Sequence, residues 1–392
     1  MAKLIDITGK ALSGEWGSDD ETGTGIPVLR TTNFTNEGII NYDDVVSRKI
    51  SPKNINEKYL RSGDIIIEKS GGSDKFPVGR VVYFDGPDKT YLFNNFTGVL
   101  RVKDQQMWHP RYVFYSLLSN YRRGGTRAFE NRTTGLHNLK TDDYVSKYEV
   151  AGRDYEEQIT ICEKLDKIYA IIKYREQEIT SLDDLISARF VEMFGDPLDK
   201  KIANMIFADC LEFNPKKSEV KDLQDIQASF VPMECIGTDG SFAIKDKGII
   251  REYYKGYTYF RDGDVLLAKI TPCFENGKVA IAENCENGIG FGTTEFHVLR
   301  PRKDISNSYW IKYLLKNERV HELATMNMSG SAGQKRIQTP FFEKLRIYLP
   351  PIELQNQFAD FVRATDKLKV EIQKSLDETQ ILFDSLMQKY FG

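Results

Sequence analysis

Arg61-Ser62-Gly63-Asp64-Ile65-Ile66-Ile67 returns two hundred positions later as Arg261-Asp262-Gly263-Asp264-Val265-Leu266-Leu267, and the reading of that return decides the fold. Similar displacements recur on both sides of it. Gly79-Arg80-Val81 comes back as Gly277-Lys278-Val279, Val99-Leu100-Arg101 as Val298-Leu299-Arg300, and Phe194-Gly195 as Phe391-Gly392. Leu117-Leu118 with Asn120 answers to Leu314-Leu315 with Asn317, and Gly135 with Thr141 to Gly333 with Thr339. The shift stays between 197 and 200 positions in a chain of 392, so one repeat fills half the sequence. Solenoid units run about 20–45 residues. A period this long points instead to a pseudo-dimer in one polypeptide.

Each repeat divides in two. Its first part is β-rich: Asp64–Ile67, Gly79–Phe84 and Gly98–Val102 are short apolar or β-branched runs bounded by Gly, Pro, Asn and Asp, followed by a short helix near Pro110–Ser119. The second half repeats the scheme with Asp264–Leu267, Gly277–Ala282, Phe296–Leu299 and Tyr309–Leu315. Each such part reads as an α+β domain. The second part of each repeat is a long helix. The expected order is domain 1–152, helix 153–195, domain 196–349, helix 350–392.

Alternating steps of four and three from Ile161 give Ile161, Leu165, Ile168, Ile172, Arg175, Ile179, Leu182, Ile186, Arg189 and Met193. The matching walk gives Phe358, Val362, Thr365, Lys369, Ile372, Leu376, Thr379, Phe383, Leu386 and Tyr390. That alternation keeps one seam on a partner helix, the coiled-coil pattern. Pro350-Pro351 opens the second helix, and Gly195 with Pro197 closes the first. Helices of about 38 residues would be roughly 57 Å long. The first ends where the second domain begins and the second leaves that same domain, so the two pair antiparallel. The expected architecture is α+β, two domains in pseudo-twofold tandem separated by an antiparallel pair of long coiled-coil helices. Such a molecule suits a two-part target along a duplex.

Composition constrains the chemistry. The formal net charge of −3 provides no bulk basic field, so any nucleic-acid contact must be local or shared with a partner. The five cysteines form no CxxC pair and the four histidines are scattered, which predicts no metal site and fits a reducing compartment. No signal peptide and no long apolar run is expected, hence a cytoplasmic protein without a membrane span. Ser70-Gly71-Gly72-Ser73 lacks the spacing of a phosphate loop, and no GxGxxG, HExxH, GxSxG or adenine-methyltransferase signature occurs. No catalytic residue and no cofactor are expected.

The candidate DNA contacts lie in loops of the two domains. Arg30, Thr31 and Asn33 follow a strand-like Ile26–Leu29, and Arg and Asn are the side chains that read guanine and adenine edges bidentately. Lys69, Ser70 and Lys75 lie in a glycine-bearing loop suited to close approach of phosphates. Its counterpart carries Lys269, Thr271 and Phe274. Arg80 and Lys278 sit at matching places just beyond. A third group, Arg122, Arg123, Arg127, Asn131, Arg132 and His137, is answered by Gln334, Lys335 and Arg336. The loops differ between halves, which predicts an asymmetric bipartite target.

With this order and duplication the chain resembles the specificity subunit of type I restriction–modification systems. The phrases carrying the likeness are Gly63-Asp64-Ile65-Ile66-Ile67 and its repeat, Ala268-Lys269-Ile270-Thr271-Pro272, Gly292-Thr293-Thr294-Glu295-Phe296-His297-Val298-Leu299-Arg300-Pro301, and Leu349-Pro350-Pro351-Ile352-Glu353 with Gln355 and Gln357. Glu157-Gln158 meets the same helix-opening pattern, although Val150-Ala151-Gly152-Arg153 lacks the prolines. The resemblance implies two target-recognition domains, double-stranded DNA as ligand, and two adenine methyltransferase (M) subunits docked on the paired helices. S-adenosylmethionine would then sit on the methyltransferases, and a separate restriction/translocase (R) subunit is a further partner. A second apolar stripe, for example Tyr169, Leu185 and Phe190, is expected to face those partners. The alternatives are a stand-alone pseudo-dimeric repressor-like protein, a self-sufficient modification enzyme and a structural scaffold.

Overall fold

The structure, a computed structural model, describes residues 1–50, 55–133, 136–331 and 333–392, with the backbone alone for 132, 133 and 136. Gly135 and the Arg132 side chain thus lie outside the described residues. The chain forms two compact units, Met1–Arg175 with Ser375–Gly392, and Glu176–Lys374. Each unit takes one α+β domain together with about half of each long helix.

In unit 1, Ile65–Glu68 lies inside a four-stranded antiparallel sheet ordered Leu12–Ser13, Thr97–Leu100, Ile65–Glu68, Val81–Tyr83. Ile65 and Ile67 point into a core shared with Tyr112, Val113 and Leu117 of the helix Pro110–Arg122. Ile66 points the other way, into a core with Leu29, Phe84 and Phe93. A strand buried on both faces reads as a continuous apolar run rather than an alternation. The second core is closed by a sheet ordered Ser18–Asp19, Val46–Lys49, Ile26–Leu29, Leu92–Phe93, whose last pair is parallel.

Unit 2 repeats the plan. Its first sheet is ordered Leu211–Phe213, Phe296–Pro301, Val265–Ala268, Val279–Ile281. Val265 and Leu267 pack with the helix Ser308–Lys316, and Leu266 with Val231, Phe260 and Phe296. Its second sheet is ordered Asp246–Ile249, Gln227–Val231, Ile289–Gly292, Thr258–Arg261, again with one parallel pair, Gln227–Val231 beside Ile289–Gly292. The outer strand has changed edges. Ser18–Asp19 flanks Val46–Lys49 in unit 1, whereas Thr258–Arg261 flanks Ile289–Gly292 in unit 2.

The duplicated phrases turn out to be partners of one another. Gly63 (φ +94°) and Gly263 (φ +87°) make the left-handed turns that precede Asp64 and Asp264. The Asp64 carboxylate, 1% exposed, receives Arg101 Nε at 2.7 Å and Nη2 at 2.6 Å, and the Arg61 N–H at 2.8 Å. Asp264 receives Arg300 Nε and Nη2 at 2.8 Å each, and the Arg261 N–H at 2.8 Å. A buried carboxylate needs such a cation and such donors. The recurrence of Gly-Asp and of Val-Leu-Arg is therefore one ion pair made twice.

The long helices run Tyr155–Phe194 and Ile352–Phe391, 40 residues each, so the missing prolines at 150–153 do not shorten the first. Within unit 1, Arg175 donates to Ser375 O at 2.6 Å and to Thr379 Oγ1, the Tyr169 ring lies 6.2 Å from that of Phe383, and Arg153 sits 5.9 Å over Tyr390. Numbers fall on one helix as they rise on the other, so the segments are antiparallel. Within unit 2 the same holds: Asp183 meets Lys369 at 2.7 Å, and Phe190 and Phe194 each lie 5.4 Å from Phe358. The seam positions are inward. Ile161, Leu165, Ile168, Ile172, Leu376, Phe383 and Leu386 are buried or half-buried in unit 1, as are Ile179, Leu182, Ile186, Phe358, Val362 and Ile372 in unit 2.

Both helices are fastened to their domains by a glutamine. Gln158, 1% exposed, accepts from the His109 N–H at 2.9 Å and donates to the Met107 and Arg153 carbonyls at 3.0 Å each. Gln355, 0% exposed, accepts from the Asn307 N–H at 2.9 Å and donates to the Ile305 and Pro350 carbonyls at 3.0 and 2.8 Å. Among the described residues no helix is long and apolar enough to cross a membrane.

Candidate nucleic-acid interface

In unit 1 the strands Glu130–Thr133 and Leu136–Leu139 form a hairpin that adds to Ser70–Gly71. The register sets Asn131 opposite Asn138 and Arg132 opposite His137, and on the other side Ser70 opposite Asn138. The Leu139 N–H donates to Lys69 O at 2.9 Å, and Arg127 Nη2 donates to the Asp74 and Lys75 carbonyls at 3.3 and 3.4 Å. Three segments distant in sequence are thereby drawn together. Lys75, Arg127 and Asn131 are exposed on the cluster, while Lys69 and Ser70 are half-buried at its base. Burial pushes the Lys69 ammonium below its ordinary pKa.

Unit 2 builds the matching cluster by the same kind of pairing. The Ile337 N–H donates to Lys269 O and the Thr271 N–H to Lys335 O, each at 2.9 Å, and Ile270 bridges Arg336. Ile270 and Arg336 stand where Ser70 and Asn138 stand in unit 1. Gln334 and Lys335 are exposed; Lys269 and Thr271 are half-buried, with the Thr271 hydroxyl on Glu275 at 3.2 Å.

Several expected contact residues are occupied by the fold itself. The Asn33 side chain, 2% exposed, accepts from the Arg30 N–H at 2.8 Å and donates to the Asn41 and Asp44 carbonyls at 3.0 Å each, so it shapes the loop. Arg30 pairs with Asp44 at 2.8 Å. Arg80 donates to the Phe34 and Thr31 carbonyls at 2.8 and 2.9 Å and to buried Glu68 at 3.1 Å, tying one sheet to the other. Burial pushes the Glu68 carboxyl above its usual range against the opposing pull of Arg80. Lys278 does the same task in unit 2 by donating to Met233 O at 3.2 Å. Phe274 is 3% exposed in the core and stacks on His321 with ring centroids 4.9 Å apart. His137, 7% exposed, lies between carboxylates, Nδ1 3.3 Å from Glu130 and Nε2 3.8 Å from Asp74. Arg336 lies bidentate on Glu295 at 2.9 and 2.8 Å.

The glycines of the 70–73 loop also serve packing. A Cβ on Gly71 would lie 2.3 Å from Glu68 Oε1, and one on Gly72 2.8 Å from the Val78 nitrogen. Of the second helix stripe, Phe190 is 2% exposed in the unit 2 core and Tyr169 packs on Phe383, whereas Leu185 is 48% exposed. The braces Glu68, Glu295 and Asp44 escape a reading of the sequence because nothing local marks which of many carboxylates meets an arginine. Among the described residues no group of His, Cys, Asp and Glu could hold a metal ion.

The family described as the type I restriction modification DNA specificity domain matches residues 2–182 and 209–380. The chain is 42% identical over 182 residues to the type I restriction enzyme EcoAI specificity subunit of Escherichia coli, covering 45% of this chain and 30% of that one. It is 41% identical over 182 residues to the EcoEI specificity subunit of the same organism, covering 44% and 30%. The chain thus spans 30% of the length of these curated relatives. Among solved structures, a chain from work on complex assembly and conformational transition of the type I R-M system superposes with a TM-score of 0.56 at 16% identity, covering 100% of this chain and 96% of that one. The type I restriction–modification S subunit of M. genitalium gives 0.55 at 14%, covering 100% and 95%. These two show the fold.

Proposed function

Since the chain belongs to the type I restriction–modification DNA specificity family, we propose that it is the specificity subunit of such a complex and reads an asymmetric bipartite site in double-stranded DNA. The observation that carries this reading is the pair of loop clusters, assembled by equivalent backbone pairing but presenting different side chains. In unit 1 Lys75, Arg127 and Asn131 face the first half-site; in unit 2 Gln334 and Lys335 face the second, with Thr271 and Lys269 at the base. Exposed side chains on loops held by a rigid sheet are suited to base edges in the major groove.

This chain contributes recognition and no reacting group. Two adenine methyltransferase (M) subunits dock on the long helices and bring S-adenosylmethionine, base flipping and methyl transfer. Large apolar residues on the outward helix faces support this docking: Ile171, Tyr174, Ile381 and Leu382 in unit 1, and Leu185, Val191, Leu368 and Val370 in unit 2 are all at least 43% exposed. Restriction, where it occurs, belongs to a separate R subunit. Methylome sequencing of cells with and without the gene is the test. Adenine methylation at one split motif should vanish with the chain, and an unchanged methylome overturns the proposal. Adding four residues inside one long helix should alter the spacer of that motif and leave its half-sites alone.

A further inference from the structure

Unit 1 carries an open cleft that extends beyond the residues assigned to base reading. Lys75 lines it from the loop before Val78, Arg122 and Arg123 from the end of the helix Pro110–Arg122, and Arg127 from the turn that follows; Glu37 and Asp384 complete the walls, the latter from the last helix. What holds these cations is decisive. Arg123 donates to the carbonyls of Ser119 at 3.3 Å and Phe391 at 2.5 Å, and Arg127 to those of Asp74 and Lys75. A neutral carbonyl orients a guanidinium and leaves its charge intact, where a carboxylate would offset it. The Lys75 ammonium lies 5.2 Å over the Phe76 ring and the Arg122 guanidinium 5.6 Å over Phe383, contacts that also position without neutralising. Asp384 stands 3.7 Å from Arg122 Nη1, beyond hydrogen-bond length.

Unit 2 holds the equivalent arginine by a direct hydrogen bond to a carboxylate, whereas the Arg122–Asp384 ion pair is longer than one. Arg319, which follows Arg122 by one repeat, is ion-paired with Asp196. Arg123, Arg127 and Lys75, oriented with their charge intact, fit an extended polyanion, and Lys75 and Arg127 belong both to the cleft and to the reading cluster. We infer that the cleft grips the phosphodiester backbone of DNA beside the half-site read by unit 1, and that Asp384 limits the grip by partly offsetting Arg122. The last helix thus takes part in DNA binding directly. The inference rests on the DNA-reading function proposed above.

Phosphate contacts carry no sequence information and show themselves in the salt dependence of binding. The experiment measures binding of the full chain, alone and with its methyltransferase, to a random duplex and to a duplex carrying the methylome-defined site across a range of salt. Arg122→Gln with Arg123→Gln should weaken both duplexes by the same factor and lower the slope of log K against log salt by about 2. Asp384→Asn should tighten both and steepen the slope by up to about 1. An unchanged slope in the double variant, a changed base preference at the half-site, or binding no tighter in Asp384→Asn overturns the cleft. Failure of the unsubstituted protein to bind either duplex overturns the DNA-reading function itself.

Discussion

Unit 1 presents its exposed Asn131 on a two-stranded hairpin added to a third strand, with Lys75 and Arg127 on a loop and a turn drawn beside it, whereas unit 2 presents Gln334 and Lys335 on a loop held by isolated bridges and braced by the Arg336–Glu295 pair. Beneath these surfaces the units keep the same two-faced central strand, the same parallel pair in the second sheet and the same buried Asp–Arg contact. The framework is set by what must be buried, which leaves few solutions. The rim is set by what it touches, and there the halves are free to part.

The largest test of the shared framework is the buried ion pair. Asp64→Ala strands Arg101 and should cost about 3–5 kcal/mol of stability. Asp264→Ala should cost less, because Arg300 keeps Glu219, whose oxygens lie 3.0 and 2.9 Å from its Nη1. Denaturant unfolding resolved by hydrogen exchange in each unit would measure both; equal losses would break the comparison. The surfaces give a smaller effect. Arg127→Ala should weaken only the half-site of unit 1 and Lys335→Ala only that of unit 2, each by about 1–3 kcal/mol for every base edge no longer bound. Methylation motifs that loosen at both half-sites together would show that the clusters do not read separately.

The smallest effect is a pH dependence from a single buried lysine of unit 2. Lys312 stands where unit 1 has Tyr115, whose hydroxyl meets Asp166. Burial, with the Lys316 charge adding, pushes the Lys312 ammonium from its ordinary 10.5 down to about 8, while it donates to Gly240 O at 3.1 Å. The unfolded chain holds that proton to higher pH than the folded one. Stability from this group should therefore rise with pH between about 8 and 10.5, and the penalty of a buried charge persists below. Lys312→Met should flatten that rise in unfolding measured across the same range; an identical pH profile in the variant would discount the group.

The elements that repeat are legible because their reasons are local or periodic. Ile65–Ile67 and Val265–Leu267 announce two-faced strands by being uniformly apolar, and the four-three walk places the helix seam position by position. The convergence of Lys69–Lys75 with residues 127–138 is visible only as a shared place in the repeat. Asn33, Arg80, Lys278 and Arg336 mislead because a polar side chain in a loop looks the same whether it faces a base or a backbone carbonyl far along the chain. Of the second sheet of unit 1 only Ile26–Leu29 is legible, since strands as short as Leu92–Phe93 have no period to detect and their parallel partner lies far off in sequence. The constant spacing between repeats carries more than any single motif.

The glutamines at the foot of each helix bear on how such proteins can be recombined. Gln158 binds carbonyl and amide groups at 107, 109 and 153, and Gln355 those at 305, 307 and 350, so the first turns of each helix belong with the domain before them. Chimeras joined at 152 or 349 would place mismatched loops around a carboxamide that has no room to adapt. Junctions set a turn or more beyond Gln158 and Gln355 would carry each domain away with its own hinge, and should exchange half-sites between chains without altering how the helices leave them.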